Sequence, residues 1–330
     1  MARLFIDGAE AGQMDLWDIN SGTTIATAST YGMDESYCFN LNNASGNRLE
    51  KVIAEKSELY ISFWFRYTGI TSGGGILTLY NNATIIGGLS NSNSSSDANF
   101  DAFVNAVGSD VATTPLIYLR NTTYKMEFRY QMADSGIIQL KINGKMVINY
   151  SGDTKPGSAT TINKIRFGYN GSYNSSIYLD NIRIDDADWT GNTRIQAIFP
   201  TGAGATTNLT PSAGSNWDCV EEKPASDSEY VYTNAVDQID TYVMGNLGTS
   251  PYSILCVAVQ ARAVMNGNPT PQNAQLIVRP SSTDRLSGTD LPIYTEVLAK
   301  QGIWELNPED SEAWEEADVN GMETGVKVLT

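Results

Sequence analysis

Residues 124–148 constrain the fold more than any other stretch of the chain. Tyr124, Met126, Phe128, Tyr130 and Met132 alternate with Lys125, Glu127, Arg129 and Gln131. A period of two gives a strand one apolar and one polar face, whereas a helix needs apolar residues three and four apart. A second run, Ile138, Leu140 and Ile142, leads through Asn143-Gly144 into Met146, Val147 and Ile148. Asn-Gly tolerates the positive φ that a two-residue hairpin turn demands, so the two runs read as neighbouring antiparallel strands. A meander with one apolar face must bury that face against another layer, which points to a sandwich.

The rest of the chain repeats this texture. Leu59–Tyr67, Ile76–Tyr80, Leu116–Leu119, Lys164–Gly168 and Ile177–Ile184 read as further strands between clusters of Gly, Ser, Asn and Asp. The polar stretch from Leu89 to Asn99 reads as a surface loop, and Gly73-Gly74-Gly75 as a turn. The pattern breaks around Asp185–Asn192, and a new β-like run begins at Arg194 to Phe199. With 330 residues the chain is long enough for two cores, so residues 1–190 form a first domain and 191–330 a second. Tyr230–Tyr232, Thr241–Met244, Ile254–Ala263 and Gln275–Arg279 are the second domain's strands. In the tail, the acidic residues of Pro308–Val319 suit the first turn of a short helix, ended by Gly321 or Gly325 and followed by a closing strand from Gly325 to Leu329. The expected fold class is all-β, with two β-sandwich domains.

Charge and missing residue types narrow the function. The formal net charge of -16 repels phosphate backbones and anionic headgroups, which argues against nucleic acid and membrane partners. No apolar run approaches the ~20 residues of a membrane span, and Met1–Asp7 enters a strand-like run without a basic leader, so the expectation is synthesis in a cytoplasm. Three cysteines, Cys38, Cys219 and Cys256, are far apart and odd in number, as for reduced thiols. The chain has no histidine, which removes histidine-based nucleophile systems and the commonest zinc ligand. Glu221 and Glu222 are adjacent and would point to opposite sides of a strand, and Glu315 and Glu316 fall in the expected helix. The expectation is therefore a structural or binding protein without enzyme chemistry. Trp64, between Phe63 and Phe65, and Tyr169, Tyr173 and Tyr178 around Asn170-Gly171-Ser172 are candidates for a platform on which sugar rings stack.

Three segments carry a resemblance: Phe5–Gly12 followed by Trp17, Glu58–Arg66, and Ile177–Ile184. Together they resemble laminin-G and concanavalin A-like jelly rolls, in which the opening and closing strands lie side by side. The resemblance implies that Asp7, Glu10 and Asp180 stand where such domains can hold a structural calcium. Jelly-roll glucanases of this class alternate acids, Glu-x-Asp-x-Glu, along one strand, and no such strand occurs here. Over nearly the whole chain the order of segments looks like virion structural proteins of tailed bacteriophages. These run from Gly152-Asp153-Thr154 through Leu179–Ile182, Arg194–Pro200, Asn216-Trp217, Val220–Glu222 and Asp240 to Trp304–Val328. That resemblance implies a capsid decoration, neck, tail or fibre component, located in the virion and assembled with other virion proteins or further copies of itself, whose jelly roll touches host glycans. The alternatives are a free carbohydrate-binding protein and a divergent glycosidase or depolymerase.

Overall fold

The computed structural model describes residues 3–33, 35–42, 46–69, 74–92, 97–106, 109–168, 176–248, 253–266 and 273–329. The chain divides into two compact units, Met1–Glu10 with Trp17–Ile195, and Ala11–Leu16 with Gln196–Thr330.

In chain order the first unit forms β1 (Arg3–Asp7), β2 (Thr23–Thr27), β3 (Tyr37–Leu41), β4 (Arg48–Lys56), β5 (Glu58–Tyr67), β6 (Gly74–Asn81) and β7 (Thr84–Ser92). It continues with β8 (Asn99–Val104), β9 (Asp110–Thr113), β10 (Tyr124–Gln131), β11 (Gly136–Ile142), β12 (Lys145–Gly152), β13 (Ile162–Gly168) and β14 (Ile177–Asp185). An eight-stranded sheet runs β12-β11-β10-β5-β14-β3-β2, with β1 also paired to β14, and a six-stranded sheet runs β4-β13-β6-β7-β8-β9. Opening and closing strands are thus neighbours, with Phe5 opposite Ile184 and Asp7 opposite Ile182. All the pairings are antiparallel, and the unit is a jelly-roll sandwich. Asn143 and Gly144 both take positive φ, 52° and 79°, in the turn between β11 and β12, as the Asn-Gly pair demands.

Aromatic rings close the space between the sheets. Phe63 meets Phe167 at 5.1 Å and Phe65 meets Phe100 at 5.8 Å, in both cases edge to face. Trp17 lies between Phe39 and Phe167 at 5.8 and 6.1 Å. Such pairs add about 0.5–1.5 kcal/mol each beyond the area they bury.

Several segments depart from the sequence reading. Leu116–Leu119 is not a strand: Tyr118 makes only an isolated bridge to Ala98, while Leu116, Ile117 and Leu119 point outward and are exposed. Residues 89–92, expected in a loop, are the end of β7, because Leu89 fills the core and Ser92 pairs with Asn99 of β8. Of the glycines read as a turn, Gly74 and Gly75 open β6 and pair with Asn91 and Ser90. The segment from Gln196 to Phe199 carries no ladder.

The second unit contains β15 (Pro200–Thr207), β16 (Thr210–Pro211), β17 (Val231–Tyr232), β18 (Ile239–Met244), β19 (Val257–Ala263), β20 (Asn273–Arg279), β21 (Arg285–Leu286), β22 (Leu291–Pro292), β23 (Leu298–Trp304), α1 (Glu316–Gly321) and β24 (Glu323–Leu329). A sheet ordered β15-β18-β24-β20-β21, with β22 also on β20, and the ribbon β19-β23 share one core of Val257, Val259, Leu276, Val278, Trp304, Trp314, Val319 and Met322. Helix α1 starts on a capping box in which the Glu315 N–H donates to the Asp318 carboxylate at 2.9 Å.

Candidate functional site

The outer face of the six-stranded sheet is assembled by register. Leu49, Leu77, Leu79, Leu89, Ile165 and Phe167 point into the core, so the residues between them point away from it. Arg166 of β13 stands opposite Glu50 of β4 and Thr78 of β6. Lys164 stands opposite Tyr80, and Ser90 of β7 opposite Asp101 of β8. Asp110 of β9 faces Phe103, whose ring lies over Gly88: a Cβ added there would stand 3.0 Å from its Cζ and 2.0 Å from the Leu77 carbonyl oxygen. Glycine at 88 therefore leaves room for the fully buried Phe103 ring, which covers the middle of this face.

One half of the face is basic. The Glu50 carboxylate is 3% exposed and accepts from Arg48 Nε at 2.8 Å and from Arg166 Nε and Nη2 at 2.7 and 2.6 Å, with Lys164 Nζ at 3.6 Å. Lys164 Nζ and the Arg166 guanidinium also lie over the Tyr80 ring, 4.5 and 4.8 Å from its centroid. Burial pushes the Glu50 carboxyl up, but Arg166, Lys164 and Arg48 outweigh it and hold it below the ordinary value. It therefore stays ionised and cancels one positive charge of three. The surplus is positive on a chain whose net charge is -16, and the three cationic side chains keep 20–29% exposure.

The other half is acidic and hydroxylic. Asp110 takes a hydrogen bond from the Ser90 hydroxyl and lies within the field of Asp101. Burial and then the Asp101 charge raise its affinity for a proton, partly offset by Ser90. Oδ2 of Asp101 and Oγ1 of Thr78 are buried without a hydrogen-bond partner among the described residues. A patch of three partly exposed cations around one carboxylate is an arrangement for fixing an anionic group, and the acidic pair lies towards the other edge of the sheet.

The sequence reading missed all of these residues, because they come from six strands spread between positions 48 and 166. Its search for converging acids ran along single strands, whereas Asp101 and Asp110 meet across two. The alternation of Lys164 and Arg166 with Ile165 and Phe167 is the one local signal that marks a polar outer row.

The residues singled out from the sequence lie elsewhere. Asp7 directs Oδ1 and Oδ2 at the Ala9 N–H and the Trp17 Nε1–H, both at 2.9 Å. Glu10 accepts the Ser36 and Tyr37 N–H groups at 3.1 Å, and Asp180 accepts the N–H of Asn181 at 2.6 Å. These carboxylates serve N–H donors, and no three acidic, Cys or His groups gather as a metal site among the described residues. The set does not fit a calcium ion. Trp64 and Tyr178 share the outer face of the eight-stranded sheet, but Tyr178 is buried beneath Tyr31, stacked at 3.8 Å, and offers no platform. Tyr169 and Tyr173 lie outside the described residues.

No family model matches the sequence, and no curated protein matches it. Among solved structures the chain is similar to alginate lyase Aly36B, at 12% identity and a TM-score of 0.39, over 59% of this chain and 98% of that one. It is also similar to an endo-β-1,4-glucuronan lyase from the fungus Trichoderma reesei, at 11% identity and a TM-score of 0.37, over 56% and 96%. The carbohydrate recognition domain of Emp46p matches at 13% identity and a TM-score of 0.34, over 56% and 100%. What is common to them is a β-sandwich frame. The expectation of a chain without enzyme chemistry does not stand, since polysaccharide lyases are among these structures.

Proposed function

We propose that the first unit binds an acidic polysaccharide along the outer face of the six-stranded sheet, with Arg48, Lys164 and Arg166 taking its carboxylates. The observation that carries this reading is the cluster of three cations around the single Glu50 carboxylate, beside Tyr80. Tyr80 is buried beneath Lys164 and Arg166 and supports their charged ends, which keep 20–21% exposure and make the contact. Anionic glycans at bacterial surfaces accord with the virion setting that the sequence resemblance implies, which remains part of the proposal. Peptide mass analysis of purified particles tests that setting.

The binding itself is tested by calorimetric titration of the full chain with alginate and glucuronan oligosaccharides, against an uncharged cello-oligosaccharide of equal length. Binding to the acidic chains alone is expected, weakening with salt and lost in the Lys164→Ala/Arg166→Ala double variant. Equal affinity for the uncharged chain, or no loss in the double variant, overturns the reading. Ultraviolet absorbance of unsaturated uronate and an assay of new reducing ends, run on the same mixtures, report whether binding leads to elimination or hydrolysis.

A further inference from the structure

On the opposite side of the sandwich, the outer face of the eight-stranded sheet holds a pocket of about 290 Å³ lined by Trp64, Lys125, Glu127, Asn143, Arg183 and Asn192. Register again brings them together. Lys125 pairs with Trp64, and both Glu127 and Arg183 pair with Ser62 of β5. The β11–β12 turn walls one end, where Asn143 Oδ1 accepts from the Lys125 N–H at 2.9 Å and the Asn143 N–H donates to the Lys125 carbonyl at 2.8 Å. The chain leaving β14 walls the other: the Thr190 hydroxyl meets that of Ser62 at 2.9 Å, and the Gly191 N–H donates to Glu127 Oε1 at 3.1 Å. A Cβ at Gly144 or Gly191 would meet nothing within 4 Å, so the rim is open.

The volume is at the lower end of ligand pockets, which begin near roughly 300 Å³, and admits one six-membered ring. Trp64 lines the pocket beneath Lys125, and Asn143 and Asn192 have amides for a sugar's hydroxyls. Charge selects among sugars. Lys125 Nζ stands 4.5 Å over the Trp64 ring, and Arg183 and Glu127 are more than nine-tenths buried. Lys125 and Arg183 line the pocket together with the Glu127 carboxylate, whose Oε1 accepts the Gly191 N–H. We infer that this pocket binds a single carboxylate-bearing pyranose, a uronate unit, at a site separate from the six-stranded face and independent of the reading proposed for it.

The test uses the full chain with free D-glucuronate as the probe and methyl glucoside as the uncharged control, followed by saturation-transfer NMR and calorimetry. Glucuronate is expected to bind at least about tenfold more tightly than methyl glucoside, and Lys125→Ala to weaken it by about tenfold. Lys125→Arg restores binding, and Asn192→Trp, at an exposed rim position, blocks it. The Lys164→Ala/Arg166→Ala variant leaves glucuronate binding unchanged even where it abolishes polymer binding. Absence of glucuronate binding to the unaltered chain overturns the inference. So does binding indifferent to both Lys125→Ala and Asn192→Trp, or binding lost with Lys164 and Arg166, which assigns the sugar to the other face. Should Lys125→Ala fail to fold, Asn192→Trp decides.

Discussion

Asp7 offers a quantitative test of how burial governs charge in the jelly roll. It ends β1, is 8% exposed, and is pushed from 3.8 to about 7 by burial, against the bonds from Ala9 and Trp17 and the charge of Lys51, with Glu10 adding to the rise. In the folded state the group keeps its proton until about pH 7, while in the unfolded chain it releases it near 3.8. The folded state therefore binds more protons between those values, and stability from this group, complete below pH 3.8, is lost as pH rises towards 7. A shift of about three units corresponds to about 4 kcal/mol at 1.36 kcal/mol per unit. Asp7→Asn removes the titration. Urea unfolding of both proteins from pH 4 to 8 is the assay, following the transition that Phe63→Ala displaces so that the first unit is the one observed. The unfolding free energy of the unaltered chain minus that of Asp7→Asn should fall by about 4 kcal/mol across the range. Self-repulsion of the acidic surface is nearly common to both and largely cancels. A difference flat to within about 1 kcal/mol refutes the account of Asp7 as a desolvated acid.

Further expectations follow from packing and charge. Phe63→Ala removes a fully buried ring that touches Phe65 and Phe167, and should cost about 3–5 kcal/mol in urea unfolding. Glu50→Ala strands three partly exposed cations and should cost about 1–3 kcal/mol at neutral pH. Because the folded Glu50 holds its proton less tightly than the unfolded one, that cost should shrink as pH falls below 4.5, readable as converging melting temperatures. Gly325→Ala places a Cβ 2.0 Å from the Asp240 carbonyl oxygen, between β24 and β18, and should abolish the second unit's unfolding transition in calorimetry.

The fold was legible where hydrophobic pattern and turn chemistry agreed. Residues 124–148 carry both, and they are β10 to β12 with the turn at Asn143-Gly144. Reading failed where only one signal was present. Leu116, Ile117 and Leu119 have β-forming side chains but no partner strand to cover them. Ser90 and Asn91 have loop-like side chains but sit in a ladder and are buried, one on each face of the sheet. In β15 Gly202, Ala203 and Gly204 carry no apolar alternation, and the strand exists through its pairing with β18. The candidate site was the least legible part. Glu50, Tyr80, Lys164 and Arg166 become neighbours through strand order alone, and nothing in their spacing along the chain encodes that order.

The excursion of Ala11–Leu16 into the second unit has a consequence for how the protein is made. Asp15 accepts from Arg262 Nε at 2.6 Å, 247 positions later, and its carbonyl oxygen takes the Ala299 N–H at 3.3 Å. A chain growing from its N-terminus exposes residues 11–16 long before either partner has been synthesised. The jelly roll can close around β1 and β14 once residue 195 has emerged, but this short segment must wait outside it. Loop closure over so long a span is slow, and a folded first domain that holds both ends of the segment shortens the search. Pulse-chase protease protection should show residues 11–16 becoming resistant only after the chain passes Ala299.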